Sequence, residues 1–216
     1  MSNDYGKGSG VLSALSKVYD VIFLSVLWVI FCIPIITIGP ATTALYYTTA
    51  KVIRRGRGYV WHEFWHAFKT NFVTGAIFTL ILAVITAVLY YGINVTQDKV
   101  DTMTKFIRYS YIFVIVLICC GYSFMFPILS RFNLKRFQMF KMSFMVSLKH
   151  FPTSIILVLL LLGGATVLYY FFPLVIFIPS IISLLCSLLI ERVFKMYLPK
   201  PEAGIPQDDL PWYQTF

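Results

Sequence analysis

The sequence predicts an all-α integral membrane protein: a five-helix transmembrane bundle with amphipathic helices along its cytoplasmic side. Three observations lead there. Apolar residues make up 59% of the 216-residue chain and charged residues only 12%, against roughly 25% charged in soluble domains. The intervals 21–50, 70–97, 109–130 and 150–190 contain no Asp, Glu, Lys or Arg. Basic residues crowd the connections on alternate sides of these intervals.

A helix of about 20 apolar residues crosses some 30 Å of hydrocarbon. The first three intervals each supply one span, at 21–38, 72–93 and 109–130. The fourth would run about 60 Å as a single helix, twice the thickness needed. It therefore divides, and Pro173 is the expected turn, leaving spans at 152–172 and 174–191. Residues 169–172 just before it are all Tyr or Phe, a composition suited to a membrane interface. Residues 1–20 read as an N-terminal segment with an amphipathic lead-in and no removable signal peptide. Residues 21–197 form one transmembrane domain, and residues 198–216 a cytoplasmic tail.

Lys and Arg set the orientation. The first loop, third loop and tail carry thirteen, whereas the N-terminal segment, second loop and Pro173 turn carry five. The richer side faces the cytoplasm, which places the N-terminus outside and the C-terminus inside. The net charge of +9 then belongs to a membrane face, where anionic lipid attracts each basic residue by about 1 kcal/mol. The bilayer is the expected partner, and nucleic acid is not. Cys32, Cys119, Cys120 and Cys186 all fall inside spans and read as small packing residues.

Shifting the chain by 80 residues lays 64–69 (FWHAFK) over 144–149 (FMVSLK), and Thr74 over Ser154. The expected unit is a span, a basic segment with an amphipathic helix, and a second span. This makes a candidate parallel repeat about an axis normal to the membrane.

Four blocks carry a resemblance. Residues 38–46 (IGPATTALY) close the first span, and 64–72 (FWHAFKTNF) open the second. Residues 126–132 (FPILSRF) end the third, and 147–152 (SLKHFP) begin the fourth. In this order and spacing the chain resembles the YesL family of bacterial membrane proteins over roughly residues 10 to 197. The resemblance implies about five spans in the bacterial plasma membrane and no established biochemical activity. It also implies genes often found beside carbohydrate ABC importers and cell-surface sensors.

Three groups of residues are candidates for function. Gly39 and Pro40, followed by Ala41, Thr42, Thr43 and Ala44, form a small-residue stretch. Pro40 cannot continue a preceding helix but fits the first turn of a new one, so a kink or restart is expected there. The small side chains suit close helix packing, within the bundle or against a partner subunit.

Residues 62–66 (HEFWH) form an H-E-x-x-H motif, which on a helix can hold zinc through His62 and His66 with Glu63 as general base. His150 is the remaining histidine and Glu191 an acidic alternative for a third ligand. Against zinc, no span contains the Asp of intramembrane zinc proteases, and the neighbouring residues have a simpler reading. Trp61, Phe64, Trp65, Phe68 and Phe72 recur at helical steps, an aromatic face for the membrane boundary, with Lys69 on the polar stripe. The segment from Arg131 to Lys149 repeats this mixture of aromatic and basic residues and reads as a second anchor.

Ionisable residues occur only at span ends, as Asp20 and Glu191, which disfavours a proton-driven pump. No phosphate-binding glycine loop or nucleophile elbow is present. The expectation is a non-enzymatic protein without cofactor: an accessory or assembly subunit linked to carbohydrate ABC permeases or membrane sensors. The alternative is a small self-sufficient transporter or channel, and a minor one is a zinc-dependent membrane protease.

Overall fold

A computed structural model describes residues 10–96, 101–131 and 136–196. Among them the chain is all-helical, and four of its helices are long and apolar enough to cross a membrane. The expected tail at 198–216 and the first nine residues of the N-terminal segment lie outside the described residues.

Helix α1 (Gly10–Cys32) stops short of Pro34, which starts a 3₁₀ turn at Ile35–Thr37. Helix α2 (Ile38–Thr48) then begins with Gly39 and Pro40 in its first turn, where the missing N–H of Pro costs nothing. The expected restart is thus present. The break itself comes earlier, at 33–34, because Pro34 disfavours helical backbone in the residue before it.

Helix α2 runs into a π-helical turn at Thr49–Ile53, closed by the Arg54 N–H donating to the Thr49 carbonyl at 3.1 Å. A loop follows in which Gly56 and Gly58 adopt φ of 64° and 90°. Helix α3 (Val60–Val95) is a single 36-residue helix. The expected separate interfacial helix over 61–72 is instead its first three turns, since no Pro or Gly interrupts 60–74.

Helix α4 (Thr102–Arg131) descends beside α3, and the shorter α5 (Arg136–Lys149) packs across its lower half. Helix α6 (Phe151–Tyr170) leads through a 3₁₀ turn at Phe172–Ile176 to α7 (Ile178–Phe194). The chain thus turns around Pro173, and α6 and α7 are antiparallel: Gly164 faces Ile182 and Ile178. At 17 residues, α7 is the shortest of the long apolar segments. Where the candidate repeat lays 64–69 over 144–149, α3 is continuous whereas α5 and α6 are separated at His150.

The path of α2 settles the arrangement of the ends. Lys51 reaches Glu63 and Pro40 abuts Gly75, so α2 runs antiparallel to α3. Trp28 donates to the Thr42 hydroxyl at 3.4 Å, while Ser16, Lys17, Tyr19 and Asp20 share a cleft of about 310 Å³ with Val52, Ile53, Gly56, Gly58, Tyr59 and Val60. Helices α1 and α2 therefore form a hairpin, and the start of α1 lies at the same end as the first basic loop. The sequence expectation placed the N-terminus and this loop on opposite faces. It counted 21–50 as one crossing, whereas Pro34 folds that interval back on itself.

Burial follows from this layout. Over their apolar windows α1, α3 and α6 are only 17% buried, and α4 is 44% buried. Helix α4 is central, while exposed Ile81, Val84, Leu159 and Leu162 face outward as lipid-compatible surface. In α2, Gly39, Pro40, Ala41, Thr43 and Ala44 are all buried. The Thr43 hydroxyl donates back to the Gly39 carbonyl at 2.9 Å, which satisfies it within the helix.

A close backbone approach occurs at Gly75, where an added Cβ would lie 2.8 Å from the Pro40 nitrogen. Backbone cannot yield as a flexible side chain does. Gly75→Ala is expected to lower stability by about 1–3 kcal/mol, read as a depressed melting temperature of the detergent-solubilised protein, whereas Gly163→Ala, with open space around it, is expected to leave it nearly unchanged.

Candidate functional site: the basic end of the bundle

Two largely buried carboxylates lie at one end of the described bundle, with cations gathered around them. Glu63 lies in the first turn of α3 and accepts from Lys51 at 2.6 Å. Lys51 also donates to the Tyr47 hydroxyl at 3.3 Å. Burial alone would lower the Lys51 pKa, but the hydrogen bonds to Glu63 and Tyr47 outweigh it and leave the pKa raised. The stability this pair contributes is therefore complete below the ordinary lysine pKa and is lost only as pH rises through the raised value.

Glu191, near the end of α7, is the second carboxylate, and its side chain is 5% exposed. Arg54 and Arg55 each approach it to 2.8 Å, and Arg131 binds its other oxygen. The three arginines come from distant segments. Arg54 and Arg55 follow the π-helical turn, and Arg131 is the last residue of α4. The Arg131 side chain is fully buried. Arg54 also donates to the Ser187 carbonyl at 3.2 Å, and Arg55 to the Ala50 carbonyl at 3.2 Å. Burial pulls the Arg55 pKa down, Glu191 opposes this, and the neighbouring Arg131 and Arg54 add to the lowering. Tyr46 sits beside the cluster, its ring packed in the core formed by Phe124, Ile128, Leu157 and Ile190.

The residues singled out from the sequence fall into three sets. The stretch 39–44 packs inside the described bundle, against α1, α3 and α4, so its small residues serve internal packing there. Among the aromatic anchors, Trp61 and Phe72 are exposed as expected, with Lys69 over the Trp65 ring at 4.8 Å. Phe64 and Phe68 are buried, a correction to their expected boundary position. Phe31 of α1 covers them at ring-centroid distances of 5.5 and 4.9 Å, giving their apolar area a protein partner. Arg131 is likewise corrected, from lipid anchor to buried partner of Glu191, while Lys149 stays exposed.

The H-E-x-x-H motif is not assembled as a metal centre. Glu63 is held by Lys51, its other oxygen lies 3.9 Å from His62 Nδ1, and His62 and His66 are exposed. His150 caps α6 and Glu191 is occupied by arginines. Among the described residues no group of three or more His, Cys, Asp or Glu stands close enough to hold a metal ion. Sequence reading missed the arginine cluster. Arg54, Arg55 and Arg131 look like members of a positive cytoplasmic fringe until the fold converges them. Glu191 at a span end was the visible signal.

Residues 21–93 match the profile of a family described as a protein of unknown function, DUF624. This chain is similar to that family over the second half of α1, the α2 return and nearly all of α3. The YesL family, which the sequence resembles, is one of the DUF624 families. No curated protein and no solved structure matches the chain.

Removing the carboxylate would take away an ion-pair partner shared by three guanidiniums, one of them fully buried. Glu191→Gln is expected to cost about 3–5 kcal/mol, the scale for stripping one partner from a buried ion pair. The check is thermal unfolding in mild detergent, with Glu63→Gln, which leaves only the more exposed Lys51 without its partner, destabilising less.

Proposed function

We propose that this chain is a YesL-type multi-pass subunit of the bacterial plasma membrane with no catalytic activity of its own. In this reading it acts as an accessory or assembly subunit for a carbohydrate ABC importer or an associated membrane sensor. The supporting observation is how its interior acids are used. Glu63 and Glu191 are both tied to cations as structural clips, which leaves neither poised as a general base or metal ligand. The carbohydrate connection comes from the family resemblance. A second reading, a small self-sufficient transporter, draws on the hairpin broken at 33–37, since interrupted helices can line substrate paths.

The same proposal includes a topology. Arg54, Arg55, Arg131 and Lys149 mark the cytoplasmic end. Tyr90, Tyr91, Tyr109, Tyr169 and Tyr170 are exposed near the opposite ends of α3, α4 and α6, as in an interfacial aromatic belt. The chain then makes six traverses instead of five, the α2 limb being the extra one, and both the start of α1 and the end of α7 are cytoplasmic.

Two experiments test these statements. In a cysteine-free background, Lys17→Cys and Tyr59→Cys are expected to react with an impermeant thiol reagent from the same side, and Tyr169→Cys from the other. Labelling of Lys17→Cys together with Tyr169→Cys would restore the outside N-terminus. For the accessory role, tagged protein purified from native membranes in mild detergent is expected to bring down ABC permease or sensor subunits in near-stoichiometric amounts by mass spectrometry. A protein that emerges alone and moves solute across liposomes holding nothing else would establish the transporter reading.

A further inference from the structure

Three carboxylates stand at the basic end of the described bundle, and its cations pair with only two of them. Glu63 is held by Lys51, and Glu191 by Arg54, Arg55 and Arg131. Asp20 on α1 is half-buried, and among the described residues no hydrogen bond or ion pair reaches its carboxylate. It falls within the stretch of α1 that is long and apolar enough to cross a membrane. A carboxylate so placed costs free energy until a cation meets it, and an ionisable group at such a depth points to a ligand.

A cavity supplies the second observation. Asp20 lines the cleft of about 310 Å³ between the start of α1 and the first basic loop. That is the small end of the range for ligand sites, roughly 300–1,000 Å³, and suits a headgroup better than a whole lipid. Lys17 lines the same cleft, three residues before Asp20 on the helix, where neighbouring side chains stand about 5–6 Å apart at Cβ. One cleft therefore offers a negative and a positive group at short separation. Tyr19 and Tyr59 border it and are exposed, while Val52 and Ile53 give it an apolar wall.

This set of side chains selects the occupant. A carboxylate beside aromatic rings receives an ammonium, and a lysine receives an oxyanion. The charge-free stretch of the chain begins at residue 21, so Lys17 and Asp20 stand where hydrocarbon gives way to headgroups. A primary ammonium donates hydrogen bonds to a carboxylate, whereas a quaternary one has no N–H to give.

We propose that this cleft binds the headgroup of phosphatidylethanolamine, with Asp20 accepting from its ammonium and Lys17 donating to its phosphate. The site requires only that the helices stand in a bilayer, and its failure would leave the accessory role standing.

The test uses the full chain in non-ionic detergent, titrated with phosphatidylethanolamine or with phosphatidylcholine of the same acyl chains, and unfolding is followed by temperature. The expected result is a saturable rise in melting temperature with the first lipid and not with the second. Asp20→Asn, which keeps the shape and removes the charge, should raise the half-saturating phosphatidylethanolamine by about tenfold, the scale of one hydrogen bond to a charged group. Lys17→Gln, at an exposed side chain, should leave the fold intact and weaken the response. Equal responses to the two lipids, or a wild-type response kept in full by Asp20→Asn, overturn the proposal. So does a saturable response to soluble phosphoethanolamine with none to the lipid. Should Asp20→Asn fail to fold, the contrast between the two lipids and Lys17→Gln decide it.

Discussion

The carboxylate of Glu191 is the constraint on which the rest of the bundle depends. It joins the end of α7 to the turn after α2 and to the last residue of α4, segments separated by 60 and 136 positions in the chain. A buried carboxylate cannot be left alone, nor can a fully buried guanidinium, so the three elements must reach one depth together. That requirement fixes the descent of α2, because Arg54 and Arg55 arrive at Glu191 only if the chain folds back after Pro34. Lys51 and Glu63 then hold the α2–α3 turn in the same plane, as a second and more exposed clip.

Around this charged end the apolar packing is asymmetric. The return limb α2 is enclosed on its flanks by α1, α3 and α4, and a glycine on each side of its closest crossing, Gly39 and Gly75, lets backbones meet without intervening side chains. The outer helices keep most of their apolar surface facing away from the bundle. Serines on α7 complete the inner face: Ser180 shares a 2.7 Å hydrogen bond with Ser25 of α1, and Ser187 accepts near Arg54. These bonds link a short helix to the bundle interior without charge.

Much of the architecture could be read from charge spacing alone. The charge-free stretches located α1, α3, α4 and the α6–α7 pair, and Pro173 located the turn between the last two, because desolvating a charge in hydrocarbon is too costly to permit exceptions. What escaped was the meaning of Pro34. A stretch of 30 uncharged residues fits one tilted span or a hairpin of two short limbs, and composition does not distinguish them. The aromatic residues show the same limit: Trp61 and Phe64 share a helical face, yet one is exposed and the other buried because Phe31 reaches only the second. For the cluster, Glu191 was conspicuous, but its partners were hidden among thirteen similar cations. Which arginines turn inward is decided by the π-helical turn and by where α4 ends, neither of which leaves a mark on local periodicity.

The enclosed return limb also bears on how the protein enters the membrane during synthesis. Four threonines and Lys51 make 42–51 a poor segment to leave in lipid by itself, and its backbone crossing is with Gly75, which emerges later from the ribosome. Helix α1 can partition as soon as it is made, but α2 becomes comfortable only when α3 stands beside it, and its arginines only when α7, the last of the described helices, delivers Glu191. Assembly of this end therefore waits on α7: the α2 limb stays at the lipid headgroups or under a chaperone's protection until Glu191, made 136 residues after Arg55, arrives.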